Sequence, residues 1–269
     1  MIRRSVALTT IVAFGYALLY VPIISVVIYS FNDSRLVTLW GGFSLRWYAG
    51  LLNDDELLGA ALLSLRVAVV SATFATALGA IVALALRRVS RLRGRLLLSG
   101  MVTAPLVMPE IITGLSLLFL FISMANLIGW PATRGATTIT IAHVTFSMAY
   151  VVIVVRSRLA AMDESLEEAA MDLGGRPLPV FFDITVPMLL PALVSGWLLA
   201  FTLSLDDLVI SSFVSGPGAT TLPMFIFAKV RLGVTPDINA ITTIIIVLVA
   251  AAVATAATVT GKHRPAAPQ

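Results

Sequence analysis

The sequence predicts an all-α integral membrane protein with six transmembrane helices, and three observations carry that prediction. Hydrophobic residues make up 59% of the 269-residue chain and charged residues only 12%, with a mean hydropathy of +1.00. A soluble domain is about 45–50% apolar and about 25% charged, so this chain lacks the polar residues to cover a core in water. The apolar residues gather into six stretches near 6–30, 60–86, 97–125, 137–156, 188–214 and 238–260. Each is long enough to supply the about 20 residues that cross a bilayer. Basic residues are also unevenly placed. With the N-terminus in the cytoplasm, twelve of the 18 Lys and Arg fall inside, five fall outside, and Arg66 lies just within the second span.

That composition excludes a soluble enzyme, a disordered chain and a nucleic-acid binder. The net charge of +4 then matters through its position, not its sum. With no cysteine, disulfides, thiolate metal sites and Cys nucleophiles are excluded too.

The first span follows Arg3 and Arg4, is too long for a signal-peptide core, and is not followed by a small-residue cleavage site, so it is expected to be retained. It forms, with its outer connection, a segment over 1–59, ahead of a core over 60–260 and a short cytoplasmic tail over 261–269. The outer connections carry Trp40, Trp47, Tyr48 and Trp130, suited either to the membrane interface or to loop packing. The basic tract 87–95 between spans two and three is the strongest vote for the orientation, which leaves both termini cytoplasmic. In span three, Pro105-Leu-Val-Met-Pro109 with Gly114 echoes Pro187-Met-Leu-Leu-Pro191 with Gly196 at the start of span five. Both runs are placed at or near helix first turns, where proline is tolerated. The stretch 215–223, dense in Gly and Pro, is expected to be a loop or re-entrant hairpin.

Residues 157–187 are too long for a simple connector. Leu159, Met162, Leu166, Ala169, Ala170 and Leu173 recur at helical steps, with Asp163, Glu164, Glu167, Glu168 and Asp172 between them. This reads as an amphipathic helix, although Ser165-Leu-Glu-Glu168 also fits a capping box starting a new turn. Gly174-Gly175 ends it, Pro177 opens a second short segment containing Phe181, Phe182 and Ile184, and Pro187 closes that segment. An interfacial helix lying on lipid usually carries Lys and Arg on its polar face. This face is acidic, which argues for docking on a basic protein surface.

Three carboxylates fall inside spans: Glu110 in the third, Asp206 and Asp207 in the fifth. Such residues are costly in a bilayer and normally face a pathway or a partner. At about 1.5 Å per residue, Glu110 is placed roughly 20 Å along its helix, near the middle of the membrane. Asp206 and Asp207 point about 100° apart on a helix, so one can face a path while the other caps or packs, and Asp206 is the choice for the path. An acidic lining on two helices suits a substrate with a positive charge at each end. Phe225 and Phe227, after the Gly/Pro-rich stretch, offer faces for cation–π contact with an alkylammonium, although ordinary packing is the favoured role. His143 is read as a packed, hydrogen-bonded residue, and no metal ligand set is found.

Glu168-Ala169-Ala170, Gly174, Ile184 and Val186-Pro187, at their spacing and in that loop, resemble the EAA loop of ABC-importer permeases, with Val186 where that family usually has Leu. The runs 103–114, 142–146, 196–207 and 211–223 resemble the polyamine-importer members of the family, and Pro105-Leu-Val-Met-Pro109 and Ile128-Gly-Trp-Pro131 look most like the second permease subunit of putrescine systems. The resemblance implies a type I importer permease fold in a bacterial inner membrane, with a cytoplasmic coupling helix. It implies roles for Glu168, Ala169, Ala170, Gly174, Ile184 and Pro187 in contacting an ATPase, and it sharpens the identity of the substrate that Glu110, Asp206, Asp207 and Phe225 are read above as meeting. The implied partners are a second homologous permease in a heterodimer, an ATPase dimer, a periplasmic polyamine-binding protein and membrane lipid. The chain itself is expected to bind no cofactor. It lacks a phosphate-binding loop, so ATP and Mg would sit on the partner ATPase. A spermidine-preferring permease is the rival within the family. A proton-coupled secondary transporter of organic cations is the rival outside it, but that class predicts internal repeats beyond the one proline echo. An intramembrane enzyme would need a nucleophile–base or metal constellation, which is missing.

Overall fold

A computed structural model describes residues 6–36, 39–88, 94–163, 165–233 and 235–261. Of the residues and stretches named above, Arg3, Arg4, 89–93 of the basic tract, Glu164 and the tail from 262 onward lie outside the described residues. The chain divides into two compact units, one formed from the segments up to 58 and from 226 onward, the other from 59–225. Among the described residues the regular elements are all helical, and one isolated antiparallel bridge pairs Asn32 with Phe43.

In the first unit, α1 (Val6–Tyr29) and α2 (Arg46–Leu51) both pack against α12 (Pro236–Gly261). α1 is apolar all round, and none of its Leu8–Tyr29 window is buried within the chain, which leaves that surface for lipid or a partner. The outer connection is organised by buried Asn32. Its Oδ1 accepts the Gly41 amide at 2.7 Å, its Nδ2 donates to Leu39 O at 2.8 Å, and its carbonyl accepts Trp47 Nε1 at 2.7 Å. Tyr48 Oη meets Ser30 Oγ at 2.6 Å. The aromatic residues of this connection thus serve its packing.

The second unit is centred on α3 (Asp55–Arg88), α6 (Ala136–Ala160) and α9 (Val186–Asp206). Ala72, Ala75 and Ala83 of α3, Val151, Val152 and Val155 of α6, and Leu189 and Ala200 of α9 form one buried core. α4 (Arg95–Val107) adds Val102 to that core. A second core joins α5 (Glu110–Ile128) to α10 (Val209–Val214) through Leu117, Phe121, Ile210 and Val214. Small residues at these crossings let backbones approach closely, the main source of helix association where lipid removes the hydrophobic drive.

Five expectations are corrected. Predicted span three is two helices, because Pro109 has no amide to donate and disfavours helical backbone at Met108, which is extended at φ −76°, ψ 134°. Pro105, by contrast, lies inside α4 and not in a first turn, so the two proline runs occupy different structural places. Predicted span five also divides, at Asp207. The amphipathic stretch from Leu159 is not one helix. α6 ends at Ala160 with Leu159 and Met162 in the core, and α7 (Ser165–Asp172) starts afresh with Leu166 and Leu173 exposed. Pro187 closes nothing. α8 (Pro177–Val180) runs through a π-helical turn, Phe181–Thr185, directly into α9, and the Val186 amide donates to Phe181 O, five residues back. The wider turn accommodates a proline that cannot donate to the ladder. A short α11 (Leu222–Leu232) follows the Gly/Pro-rich stretch.

Five described helical segments are long and apolar enough to cross a membrane: Leu8–Tyr29, Asp55–Arg87, Glu110–Ile128, Ala136–Ala160 and Pro177–Asp206. α12 supplies a 26-residue helix at the place of the sixth expected span.

A Cβ built on Gly79 would fall 2.8 Å from Val151 Cγ1, at the crossing of α3 and α6. Gly79→Leu should therefore destabilise the fold by about 1–3 kcal/mol or more, the usual cost of overpacking. A lowered melting midpoint of the detergent-solubilised protein, partly restored in Gly79→Ala/Val151→Ala relative to Gly79→Ala, is the expected result.

Candidate functional site

The two interrupted helices meet at one cavity of about 520 Å³, lined by both breaks. Pro109 turns the chain between α4 and α5, and Glu110 follows in the first turn of α5. The unpaired amides of a helix start favour a carboxylate there. Glu110 is thus at a helix N-terminus, not part-way along a continuous span as the sequence suggested. Asp206 is the last residue of α9 and lines the same cavity, beside Leu203. Both carboxylates are exposed in the chain, and among the described residues neither is ion-paired; the Asp206 carboxylate meets its own backbone amide. Thr113, Phe146 and Tyr150 also line the cavity. The carboxyl ends of α4 and α9, both at this cavity, add the negative ends of two helix dipoles.

Asp207 is different. Its side chain is about 5% exposed and fully engaged. Oδ2 accepts the Ser211 amide at 2.7 Å, Oδ1 accepts the Ile210 amide at 3.2 Å, and His143 Nε2 lies 3.1 Å from Oδ2. It caps the start of α10, supplying acceptors for amides that the break leaves unpaired. The sequence weighed a cap against a substrate contact for this pair, and only Asp207 has cap geometry. His143 is fully buried, with Nδ1 2.6 Å from Ser204 Oγ and Nε2 also 3.0 Å from Ser211 Oγ. A neutral ring protonated on Nε2 satisfies this set, donating to Asp207 while Nδ1 accepts from Ser204. Ser71 Oγ in turn donates to Ser204 Oγ at 3.1 Å.

Phe225 is buried, at 7% exposure, in α11 and is not part of the cavity wall. Its place as an aromatic face in the cavity is taken by Phe146 and Tyr150, which the sequence reading missed. The spacing of His143, Phe146 and Tyr150 at three and four residues puts them on one face of span four, and that periodicity was available in the sequence. Ser204 and Ser211 carried no such mark.

The loop after α6 is built separately. Asp163 Oδ1 accepts the Ser165 amide at 2.9 Å, and this bond, with a further one from the Ser165 side chain, holds the Asp163 carboxyl below the usual carboxylate range. α7 ends in a Schellman motif. The Gly174 amide donates to Met171 O at 2.9 Å and the Gly175 amide to Ala170 O at 3.0 Å, with Gly174 at φ +88°. A side chain at Gly174 would strain that conformation. Glu167 Oε1 accepts Thr185 Oγ at 2.8 Å, tying α7 to the π-helical turn. Glu168, Ala169, Gly174 and Pro187 are exposed, while Ala170 and Ile184 are half-buried. No residue of α7 is buried, and Leu166 and Leu173 are 46% and 91% exposed, so this helix presents apolar and acidic groups together.

The sequence profile of the family described as binding-protein-dependent transport system inner membrane component matches residues 75–261. The putrescine transport system permease protein PotI of Escherichia coli is 60% identical over 236 residues, covering 88% of this chain and 84% of that protein. The spermidine/putrescine transport system permease protein PotC of Escherichia coli is 44% identical over 233 residues, covering 87% of this chain and 86% of that one. The crystal structure of a bacterial ABC transporter involved in the import of the acidic polysaccharide alginate is similar with a TM-score of 0.70 at 18% identity, over 97% of this chain and 96% of that chain. This last likeness concerns the fold.

Because Asp207 caps a helix and Asp206 does not, their truncation should separate. Asp207→Ala leaves two amides and a histidine donor unsatisfied, and should cost about 1–3 kcal/mol. Thermal unfolding of the solubilised protein should show a clear drop in midpoint for Asp207→Ala and little change for Asp206→Ala.

Proposed function

The chain belongs to the binding-protein-dependent transport system inner membrane component family, and from that premise we propose that it is a permease subunit of an ATP-driven polyamine importer whose cargo is putrescine. It is a transport subunit and not an enzyme, with the all-α fold of type I importer permeases. The observation that carries the substrate reading is the cavity between the two helix breaks, where Glu110 and Asp206 stand free on separate helices. A diammonium ion crossing a bilayer must exchange its hydration for protein groups. Two carboxylates and two helix carboxyl ends are the groups it needs, and Phe146 and Tyr150 offer ring faces to its alkyl-ammonium ends. An anion or a sugar would find acceptors here and few donors. The greater identity to the putrescine permease than to the spermidine/putrescine permease favours the shorter diamine.

Each remaining part of the assembly has a residue-level rationale. The subunit sits in the inner membrane with both termini and α7 on the cytoplasmic side, following the basic bias of its loops. α7 docks in a partner ATPase, which holds ATP and Mg. Glu168 meets a basic residue there, Leu166 and Leu173 fill an apolar cleft, and the Gly174 turn sets the angle to the following segment. A second, homologous permease completes the path as a heterodimer, lipid covers α1, and a periplasmic binding protein delivers the polyamine. Closure of the ATPase dimer moves α7 and switches the path from inward-facing to outward-facing.

Two measurements test this. Glu110→Gln and Asp206→Asn, assayed for labelled putrescine uptake at matched membrane levels, should each slow uptake about tenfold, equivalent to about 1.4 kcal/mol of barrier. Excess unlabelled spermidine should compete less well than unlabelled putrescine. Wild-type uptake in both variants and their double would mean that the cavity is not on the path. Glu168→Lys, reconstituted with the partner subunits, should lose putrescine-stimulated ATP hydrolysis by about tenfold or more through like-charge contact, while still inserting and assembling.

A further inference from the structure

We infer that His143 is a positioning residue for transport: it clamps the break in the α9–α10 segment and so holds Asp206 in the cavity as a free carboxylate. The inference rests on the cavity reading above. No proline or glycine lies between Ser204 and Val214, so the chain there has no intrinsic helix breaker. The break must be held by side chains. His143, on the neighbouring α6, reaches both sides of it. Its Nδ1 meets Ser204 Oγ, in the last turn of α9, at 2.6 Å. Its Nε2 meets Asp207 Oδ2 at 3.1 Å and Ser211 Oγ, in α10, at 3.0 Å. One ring therefore fixes the end of one helix, the extended residue after it, and the start of the next.

The consequence for Asp206 is one of division of labour. Asp207 supplies the α10 cap, and His143 keeps it there, so the adjacent carboxylate is not recruited as a cap. Both aspartates border the cavity with Glu110, and Asp206 is left as the one not bound to a neighbouring residue. His143 is itself fully buried and does not line the cavity, and it stacks edge-on against Phe146, which does, with ring centroids 5.5 Å apart. Losing the ring would let α9 and α10 shift relative to each other, and Asp206 would share the capping bonds or move off the path.

The test is a double-mutant cycle on the reconstituted complex with putrescine-loaded binding protein, with uptake expressed per assembled complex. His143→Ala should slow uptake about tenfold, His143→Gln, which keeps a donor toward Asp207, should slow it less, and neither should slow Asp206→Asn further, as coupled neighbours behave. Thermal midpoints measured in parallel separate positioning from bulk stability. A His143→Ala complex that melts earlier yet transports at the wild-type rate would overturn the inference, as would losses that multiply in the double variant. If His143→Ala fails to assemble, His143→Gln in the two backgrounds carries the same comparison. If Asp206→Asn alone transports normally, the cavity reading fails and this inference falls with it. If Asp206→Asn is slow but both His143 variants are normal, only this inference fails.

Discussion

A helix interrupted inside a bilayer must find partners for the backbone groups that the interruption frees, since hydrocarbon offers none. Most of the second unit is organised around two such interruptions, and each is resolved differently. At Pro109 the missing donor is a property of the residue, and the carbonyl of Pro109 accepts the amides of Ile112 and Thr113 as α5 restarts. At Asp207 the residue is an ordinary helix former's neighbour, and the freed amides are taken by its carboxylate. The polar placements around that second break follow: Ser204 on α9, Ser211 on α10, His143 on α6, and Ser71 on α3, which donates to Ser204.

The same constraint explains why charge is tolerated at the cavity. Intramembrane carboxylates persist where they face water or a ligand, or where protein satisfies them. Asp207 is of the second kind, and Glu110 and Asp206 are of the first. Two adjacent residues of one type thus have opposite fates because the backbone changes direction between them. The alanine-rich crossings of α3, α6 and α9 hold the scaffold behind them rigid enough for that distinction to matter.

Much of this was legible in the sequence, and the limits of legibility are physical. The apolar stretches gave the spans, because length and composition decide insertion. Gly174 could be placed as a helix end because few other residues accept its positive φ. The division of span three was marked by Pro109, although proline within an apolar stretch reads equally as a tolerated kink. The break at Asp207 had no local mark, since it depends on a histidine 64 positions earlier in the chain. Phe225 was left open between packing and a substrate face for a related reason: an aromatic residue after a turn-rich stretch carries no information about which cavity it reaches. The amphipathic pattern from Leu159 to Leu173 spanned a real helix end, because its two halves keep the same period while packing against different surroundings.

The π-helical turn has a mechanical consequence. Because Phe181–Thr185 continues the helix instead of ending it, Pro177–Asp206 forms a single 30-residue rod. At about 1.5 Å per residue, such a rod is roughly 45 Å long. Within its first third it is tethered to α7 by the bond from Thr185 to Glu167, and it ends at Asp206. A rod has no loop in which to lose a displacement, so a tilt about its packed middle at Leu189 and Ala200 moves the two ends in opposite directions at once. On the function proposed above, input and output are then two points on one lever, with its fulcrum in the hydrophobic core.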